Sequence, residues 1–261
     1  MIHQTSIIEK GAKIGKNVVI GPYCIVGNKV QLEDNVHLKS HVVIEGKVKI
    51  GEGTVIYPFA SLSYPQTLKY KGEDSEIIIG KNNTIREYVT IQHGTREGNM
   101  LTITGDNCLF MVGVHIAHNC VIGDNAIFAN YVSLAGHVKV GDFVTIGGLS
   151  AVQQFTRIGS HVMIGGMTGI SKDLPPYLLA GSKCANIDGL NLVGMKRRNF
   201  DKLKTIEANQ AVKILFTDDT NTLFAKRLDE VQEQYQNNEI VQEIIGFVRA
   251  DKTRSFCKFK K

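Results

Sequence analysis

The chain has 261 residues, of which 26 are Gly, 5 are Pro and none is Trp, and its formal net charge is +5. Collagen is excluded because it needs Gly at every third residue and abundant Pro, and a disordered chain is excluded because 43% of the residues are apolar. The sequence has no apolar window long enough to span a membrane, no secretory signal at its start and no CxxC pair among its five cysteines. These features predict a cytoplasmic protein without stable membrane insertion.

A six-residue period organises the first two-thirds of the chain. Every sixth residue from Ile2 to Leu62 is aliphatic, the same phase returns from Phe110 to Ile170, and Gly often follows the apolar residue, as at Ile14-Gly15. Neither a helix nor simple strand alternation produces this period, whereas the short strands of a parallel β-helix do. We predict inward apolar residues, coils of three hexads stacked about 4.8 Å apart, and corners where Gly adopts positive φ without steric cost.

Two polar segments, residues 63–78 and 92–103, interrupt the period. A β-helix accommodates insertions only as loops at its corners, so we predict one loop at each segment. The first contains Lys69, and the second contains His93 and Arg96. Loops on a rigid scaffold frequently carry functional residues, which makes both segments candidates for part of a functional site.

The period ends near Gly181, and apolar residues then recur at spacings of three and four, which is typical of helices. We predict a β-helical domain at residues 1–185 and a small C-terminal α-helical domain at 186–261. Residues 182–261 hold 15 Lys and Arg against 11 Asp and Glu, so most of the net charge lies here. This excess favours a site for phosphates or a docking surface for an acidic protein. Nucleic acid is not predicted, since aromatic residues do not interleave with the basic ones.

Three histidines lie at positions of the repeat that do not face the core: His115, His118 and His137. His118 and His137 are 19 residues apart and Gln154 follows 17 residues later, each interval being close to one coil. We therefore expect His118, His137 and Gln154 to form a polar column on one side, with His115 nearby. Histidine ionises near neutral pH, so a general base is a natural role for one of them.

Metal binding is the alternative for these histidines, because three imidazoles suit zinc. His115 and His118 are spaced as His-x-x-His, yet no carboxylate or cysteine is spaced to complete a structural site. Cys108 and Cys120 occupy inward positions of the repeat, which predicts packed thiols. We predict no metal site.

Several segments are together specific enough to indicate a family. They are His115-Ile116-Ala117-His118-Asn119-Cys120, Leu134-Ala135-Gly136-His137-Val138, Gln153-Gln154-Phe155, His161-Val162-Met163-Ile164-Gly165-Gly166, Pro175-Pro176-Tyr177 and Leu192-Val193-Gly194-Met195-Lys196-Arg197-Arg198. In this order, and over essentially the whole chain, the sequence resembles the acyl-carrier-protein–UDP-N-acetylglucosamine O-acyltransferases, which begin lipid A synthesis. The repeat alone indicates only the hexapeptide transferase superfamily.

The resemblance implies a mainly β protein, a single-stranded left-handed parallel β-helix that forms a homotrimer with active sites between subunits. The handedness comes from the resemblance alone, since parallel crossovers are otherwise right-handed. It also implies transfer of an (R)-3-hydroxyacyl chain from the phosphopantetheine of acyl carrier protein to the 3-hydroxyl of UDP-N-acetylglucosamine, with no further cofactor. His118 then matches the general base, and the Gly136 N–H matches the donor to the oxyanion.

Further positions match residues that contact substrate in the family. Lys69 matches a residue beside the phosphates and thioester, and Gly166 matches the floor of the acyl pocket. The other matched positions are His115, His137, Gln154, Met163, Asn191, Arg197 and Arg198. Three residues depart from the pattern: Thr67 stands where Asp contacts the sugar, Gln153 replaces His, and Val193 replaces Glu near the uridine. These departures leave open whether a 3-amino sugar is used.

Four other functions share the scaffold. The N-acyltransferase that adds the next acyl chain is not favoured, because no extra N-terminal domain precedes the repeat. A coenzyme-A-dependent acetyltransferase would differ in its acyl donor, and a γ-type carbonic anhydrase would hold about one zinc per subunit. A non-catalytic scaffold subunit is disfavoured by the two polar loops and the histidine column.

Overall fold

The three-dimensional structure is a computed structural model and describes residues 1–181, 185–216, 222–251 and 253–259. Its larger part is a stack of coils, each of which contributes one short strand to each of three sheets. Where no loop intervenes a coil has 18 residues, so that Ile7 pairs with Ile25 and Ile25 with Val43. No helix within the described ranges is long and apolar enough to cross a membrane.

The strands are short, and each sheet collects every third one. The first sheet contains β1 (Ile7–Ile8), β4 (Ile25–Val26), β7 (Val43–Ile44), β10 (Ser61–Ser63), β13 (Thr90–Gln92), β16 (His115–Ile116), β19 (Ser133–Leu134), β22 (Ala151–Val152) and β25 (Gly169–Ile170). The second sheet contains β2 (Lys13–Ile14), β5 (Gln31–Leu32), β8 (Lys47–Ile50), β11 (Glu76–Ile79), β14 (Leu101–Thr104), β17 (Val121–Ile122), β20 (Lys139–Val140) and β23 (Arg157–Ile158). The third sheet contains β3 (Val19–Ile20), β6 (His37–Leu38), β9 (Val55–Ile56), β12 (Thr84–Ile85), β15 (Leu109–Phe110), β18 (Ile127–Phe128), β21 (Thr145–Ile146), β24 (Met163–Ile164), β26 (Leu178–Gly181) and β27 (Asn186–Leu190). Pairing is parallel except between β26 and β27, which are antiparallel.

The apolar residues at every sixth position form the core of this prism. Each is the inward residue of a strand, and from Ile20 onward they are almost fully buried, as are Phe110 and Phe128. Smaller residues two places earlier, such as Cys24 and Ala126, fill the corners and are also buried. Burying one large aliphatic side chain stabilises a protein by about 1.5–3 kcal/mol, so the repeat itself supplies the main stabilisation of the prism.

The glycines of the repeat serve a different purpose from the one predicted. We expected them at corner positions with positive φ, but most of those positions hold Asn, His or aromatic residues, such as Asn35, Phe59 and Tyr88. At Gly51 and Gly80, φ is ordinary, and an added Cβ would lie 2.4 Å from a carbonyl oxygen of the next coil. The prediction about conformation is therefore wrong: Gly is required there because successive coils approach too closely for a side chain.

Four helices follow the prism: α1 (Leu192–Arg197), α2 (Lys202–Phe216), α3 (Phe224–Gln234) and α4 (Glu239–Ala250). The side chain of Asn191 caps α1 by accepting a hydrogen bond from the Gly194 N–H at 3.0 Å. Asn238 caps α4 by accepting from the Ile240 N–H at 3.1 Å. The predicted helical character of this region is thus observed, while the division into two domains at residue 185 stays a prediction.

The end of the chain returns to the last coils of the prism. The fully buried carboxylate of Asp173 accepts hydrogen bonds from Arg157 Nε at 2.7 Å and from Arg254 Nε at 3.0 Å. Phe256 forms a parallel bridge with Asp173. Tail and helices therefore cover one end of the stack, where strand edges would otherwise stay unpaired.

We expect Gly80→Ala to lower the free energy of unfolding by about 1–3 kcal/mol, because its Cβ would collide with backbone. The matched variant is Gly246→Ala in α4, where an added Cβ has no described atom within 4 Å. There, Ala raises stability by up to about 1 kcal/mol through its helix propensity. Urea denaturation of both variants measures the difference, and effects of the same sign and size would contradict the close-approach explanation.

Candidate active site

The three predicted histidines lie at one edge of the prism, where the first sheet turns into the second. His115 lies in β16, and its Nδ1 is 2.7 Å from Thr90 Oγ1 of the neighbouring strand β13. His118 lies at the corner that follows β16, and His137 lies at the same corner one coil further on. The rings of His118 and His137 meet edge to face with their centroids 5.2 Å apart. The structure therefore brings these histidines together, as predicted.

The single column expected for His118, His137 and Gln154 is wrong in register. Each of two equivalent corner hydrogen bonds joins an N–H to a carbonyl 19 residues earlier, from His137 to His118 and from Phe155 to Gly136. His118, Gly136 and the exposed Gln154 are therefore equivalent positions of successive coils. His137 belongs to the adjacent column and stacks on Phe155, with ring centroids 4.6 Å apart.

Gly136 lies directly against the His118 ring. A Cβ added at Gly136 would lie 2.5 Å from Cε1 and 2.8 Å from Nε2 of His118. A side chain at this position would therefore displace the imidazole. Among the described residues, no backbone carbonyl accepts from the Gly136 N–H, which leaves that N–H available to a ligand.

Asn119 orients His118, a role that the sequence did not reveal. Asn119 Oδ1 lies 3.0 Å from His118 Nδ1, and it also accepts from the N–H of Thr95 at 3.0 Å and from Thr95 Oγ1 at 2.8 Å. Because an amide oxygen only accepts, His118 Nδ1 carries the proton and Nε2 presents its lone pair. Asn119 is buried and has a φ of 62°, and an Asn at such a corner reads in the sequence as an ordinary turn residue.

The two inserted loops meet over this edge. Lys69 Nζ of the first loop pairs with Glu97 Oε1 of the second at 2.8 Å, and both side chains are exposed. An added Cβ at Gly98 would lie 2.3 Å from Asn119 Nδ2 and 3.1 Å from His137 Cε1, so the second loop packs onto the histidines. The pKa of the Glu97 carboxyl is lowered, chiefly by its hydrogen bond with Lys69. Sequence reasoning did not single out Glu97, which brings the Lys69 ammonium to this edge.

A cavity of about 710 Å³ lies beside the histidines. Gly98, His137 and Phe155 line one end, and Arg157 and Arg254 line the other. The cavity thus extends from the histidine edge to the C-terminal tail, and cationic groups border its far end.

Burial governs the charge of the neighbouring imidazoles. It lowers the pKa of His115, and the positive charge of His118 lowers it further. Burial also lowers the pKa of His137, against a smaller opposing effect of the Glu97 carboxylate. Both rings are therefore neutral near neutral pH. No partner for His137 Nε2 is found within the described part of the chain.

The residues matched to nucleotide binding lie at another edge of the prism, where the second sheet turns into the third. Asn191 Nδ2 donates to the carbonyl of His161 at 2.9 Å. The His161 ring stacks between Phe143 and Tyr177, with centroids 4.9 and 5.1 Å away. The guanidinium of Arg198 lies 5.7 Å from the Phe143 ring centroid, and its Nε and Nη2 are buried with no partner among the described residues.

The residues matched to acyl binding lie on the third sheet, on the opposite side from the histidine edge. Met163 is half-buried in β24, and Gly166 is exposed at the corner that follows. A Cβ added at Gly166 would lie 3.2 Å from the Gly148 carbonyl oxygen. Arg197 is exposed on α1. Within one chain the structure therefore does not bring these residues to His118.

The metal alternative finds no geometric support. In the part of the chain that the structure describes, no three His, Cys, Asp or Glu side chains are placed to hold a metal ion. Burial raises the pKa of Cys108 to about 11 and that of Cys120 to about 12, so both are inert packed thiols as predicted. Cys184 lies outside the described residues.

A stack of hexapeptide coils with functional groups at its edges defines the class of hexapeptide-repeat transferases. The model of the family described as "Bacterial transferase hexapeptide (six repeats)" matches residues 102–136. A second model, "Udp N-acetylglucosamine O-acyltransferase; Domain 2", matches residues 173–257.

Relatives match over the full length. The chain is 63% identical to the acyl-[acyl-carrier-protein]–UDP-N-acetylglucosamine O-acyltransferase of Rickettsia peacockii, over 100% of this chain and 98% of the relative. The structure of LpxA from Acinetobacter baumannii is 38% identical with a TM-score of 0.93 and 99% coverage of each chain. LpxA from Bacteroides fragilis is 34% identical with a TM-score of 0.93 and 100% coverage of each. The chain therefore belongs to the acyl-[acyl-carrier-protein]–UDP-N-acetylglucosamine O-acyltransferase family, and the predicted left-handed parallel β-helix with C-terminal helices is confirmed.

Acid should destabilise the fold through His161. Burial, followed by the charge of Arg198, lowers the pKa of His161 to about 4 from an ordinary value of 6.5. The unfolded chain then binds a proton that the folded chain does not, so this contribution is present above the ordinary value and is lost as pH falls toward about 4.

We expect the Tm of the wild type to fall more steeply over this pH range than the Tm of His161→Phe. The Phe ring preserves the stack between Phe143 and Tyr177 and does not titrate. Thermal unfolding followed by circular dichroism at several pH values measures both slopes, and parallel curves would contradict the assignment.

Proposed function

We propose that this chain transfers an (R)-3-hydroxyacyl group from acyl carrier protein to the 3-hydroxyl of UDP-N-acetylglucosamine, the first step of lipid A biosynthesis, with His118 as general base. The observation that carries the role of His118 is its hydrogen bond to Asn119 Oδ1, which leaves Nε2 as the acceptor. Nε2 also faces Gly136, whose N–H lacks a described backbone partner. A base and a donor therefore lie side by side.

The chemical step follows from this pairing. His118 Nε2 takes the proton from the sugar hydroxyl while its oxygen bonds to the thioester carbonyl carbon. The carbonyl oxygen becomes an oxyanion and accepts a hydrogen bond from the Gly136 N–H, which supplies about 3–4 kcal/mol of transition-state stabilisation. The C–S bond then breaks, and the departing sulfur of phosphopantetheine receives the proton from His118. The step needs no metal and no cofactor other than the pantetheine of the carrier.

Several groups near the base suit the binding of an anionic sugar nucleotide. The Lys69 ammonium reaches the histidine edge through its pair with Glu97, and we assign it to the phosphates and thioester. The neutral rings of His115 and His137 hydrogen-bond to substrate without adding charge. We assign Gln154, the next position of the His118 column, to substrate binding as well.

The remaining assignments require a second copy of the chain. Met163 and Gly166 are assigned to the acyl chain, and Asn191, Arg197 and Arg198 to the nucleotide or the carrier. Because these residues lie on other sides of the prism from His118, one site that unites them needs a neighbouring subunit. This placement supports a homotrimer with its sites between subunits, and we propose a cytoplasmic location for it.

Incubation with UDP-N-acetylglucosamine and hydroxyacyl carrier proteins of several chain lengths tests the reaction through release of the carrier thiol. Acyl-coenzyme A in place of the carrier separates this activity from that of an acetyltransferase. A 3-amino sugar nucleotide tests the departures at Thr67, Gln153 and Val193. Absence of thiol release with every donor and acceptor would overturn the proposed function.

We expect His118→Ala to lower kcat by at least about 10²-fold, because it removes the general base. The control is His3→Ala, which changes an exposed histidine of the first coil. Sedimentation equilibrium should show three chains per particle for the wild type and both variants. Unchanged turnover in His118→Ala would reject its assignment as base.

Removal of the Asn119 acceptor should slow catalysis without comparable loss of substrate binding. In Asn119→Leu, His118 Nδ1 loses its partner, and loss of a bond to a group that becomes charged costs about tenfold or more in kcat. Asn119→Asp keeps an acceptor oxygen at the same place and should retain most of the rate. Steady-state kcat and KM of both variants decide, and equal losses in the two would argue against a positioning role.

A further inference from the structure

His93, which the sequence places in the second inserted loop, is a buried imidazole outside the catalytic edge. It is 1% exposed. Its Nδ1 lies 2.9 Å from the carbonyl oxygen of Ser75, and its Nε2 lies 2.9 Å from the carbonyl oxygen of Glu45. Both ring nitrogens therefore contact groups that can only accept hydrogen bonds.

Hydrogen-bond accounting determines the state of this ring. A neutral imidazole has one N–H and one lone pair, so it can donate to only one of the two carbonyls. At the other it would point a lone pair at an oxygen in a buried place, which is costly. Both contacts are satisfied only when each ring nitrogen carries a proton and the ring is a cation.

The surroundings of His93 suit a cation of fixed position. Its ring stacks on Tyr64 with centroids 5.4 Å apart, and an aromatic face attracts positive charge. Gly46 adopts a φ of 76°, and an added Cβ there would lie 2.6 Å from His93 Cε1, so only Gly allows the ring this close to the backbone. The titratable or charged residues on the elements around the ring are Asp74, Lys29, Glu45, Tyr64 and Tyr70.

His93 also closes the neck of the first inserted loop. Its backbone N–H donates to the Ser63 carbonyl at 3.0 Å, and its Nδ1 contacts the Ser75 carbonyl. Ser63 ends β10, and Ser75 directly precedes β11. One residue thus pins both ends of residues 64–74, the part of the loop that carries Lys69.

We propose that His93 is a positioning residue whose doubly protonated imidazole clamps the neck of this loop and thereby places Lys69 at the histidine edge. The consequence for turnover rests on the proposed function of Lys69, whereas the state of the ring and the clamping of the loop do not. A ring that loses one proton releases one carbonyl, and the neck loosens.

The direct test is NMR of the wild-type protein labelled with ¹⁵N in its histidines. Near neutral pH, we expect proton-coupled signals from both ring nitrogens of His93, assigned by their disappearance in His93→Arg. An exposed histidine such as His3 serves as the internal reference. A His93 nitrogen without a proton at that pH would overturn the proposal, whether or not the chain shows acyl transfer.

Two variants test the clamp. His93→Gln offers one donor group and no charge, whereas His93→Arg keeps the charge and several donors. We expect His93→Gln to speed limited proteolysis within residues 64–74 and to raise KM for UDP-N-acetylglucosamine by about tenfold, with a smaller change in kcat. His93→Arg should restore both to near the wild-type values.

His3→Gln provides the control for the substitution itself. Proteolysis of the loop in His93→Gln at the wild-type rate would reject the clamp. Faster proteolysis with unchanged KM would reject only the link to Lys69. If His93→Gln fails to fold, the NMR measurement on the wild type still decides the protonation state.

Discussion

The stacking of coils by parallel strand pairing is the interaction on which the rest of the structure depends. Each coil repeats its predecessor about 4.8 Å away, so every position of the repeat recurs above itself. Inward positions become continuous apolar columns, and positions at closest approach admit only Gly, as at Gly51 and Gly80. The same constraint also builds the site, because residues that share a corner position in successive coils must lie against one another.

Corner positions carry a conformational cost that the stack offsets. Asn119, His137 and Phe155 all have positive φ, a region that costs a non-glycine residue about 1–3 kcal/mol. Their side chains project from the edge and touch their neighbours, as in the stack of His137 on Phe155. A strained backbone thus provides an ordered row of polar and aromatic groups on the outside of a rigid prism.

The fold was readable from the sequence because its period is strict, whereas the site was only partly readable. The period located His118 and His137 at one edge, but a one-residue error in coil length misplaced Gln154 relative to His137. Asn119 escaped notice since its residue type also suits an ordinary corner, and its function depends on Thr95, a contact made by an irregular loop. Loop contacts such as that between Lys69 and Glu97 follow no period and needed coordinates.

The placement of His118 and Gly136 at one position of consecutive coils has a consequence for how the site varies among sequences. The separation of the base from the oxyanion donor equals the rise of a single turn of the solenoid and is fixed by main-chain pairing. Neither inserted loop contributes to that separation. Loops can therefore change in length and charge, and with them the choice of sugar or acyl chain, while the reacting groups keep a constant spacing.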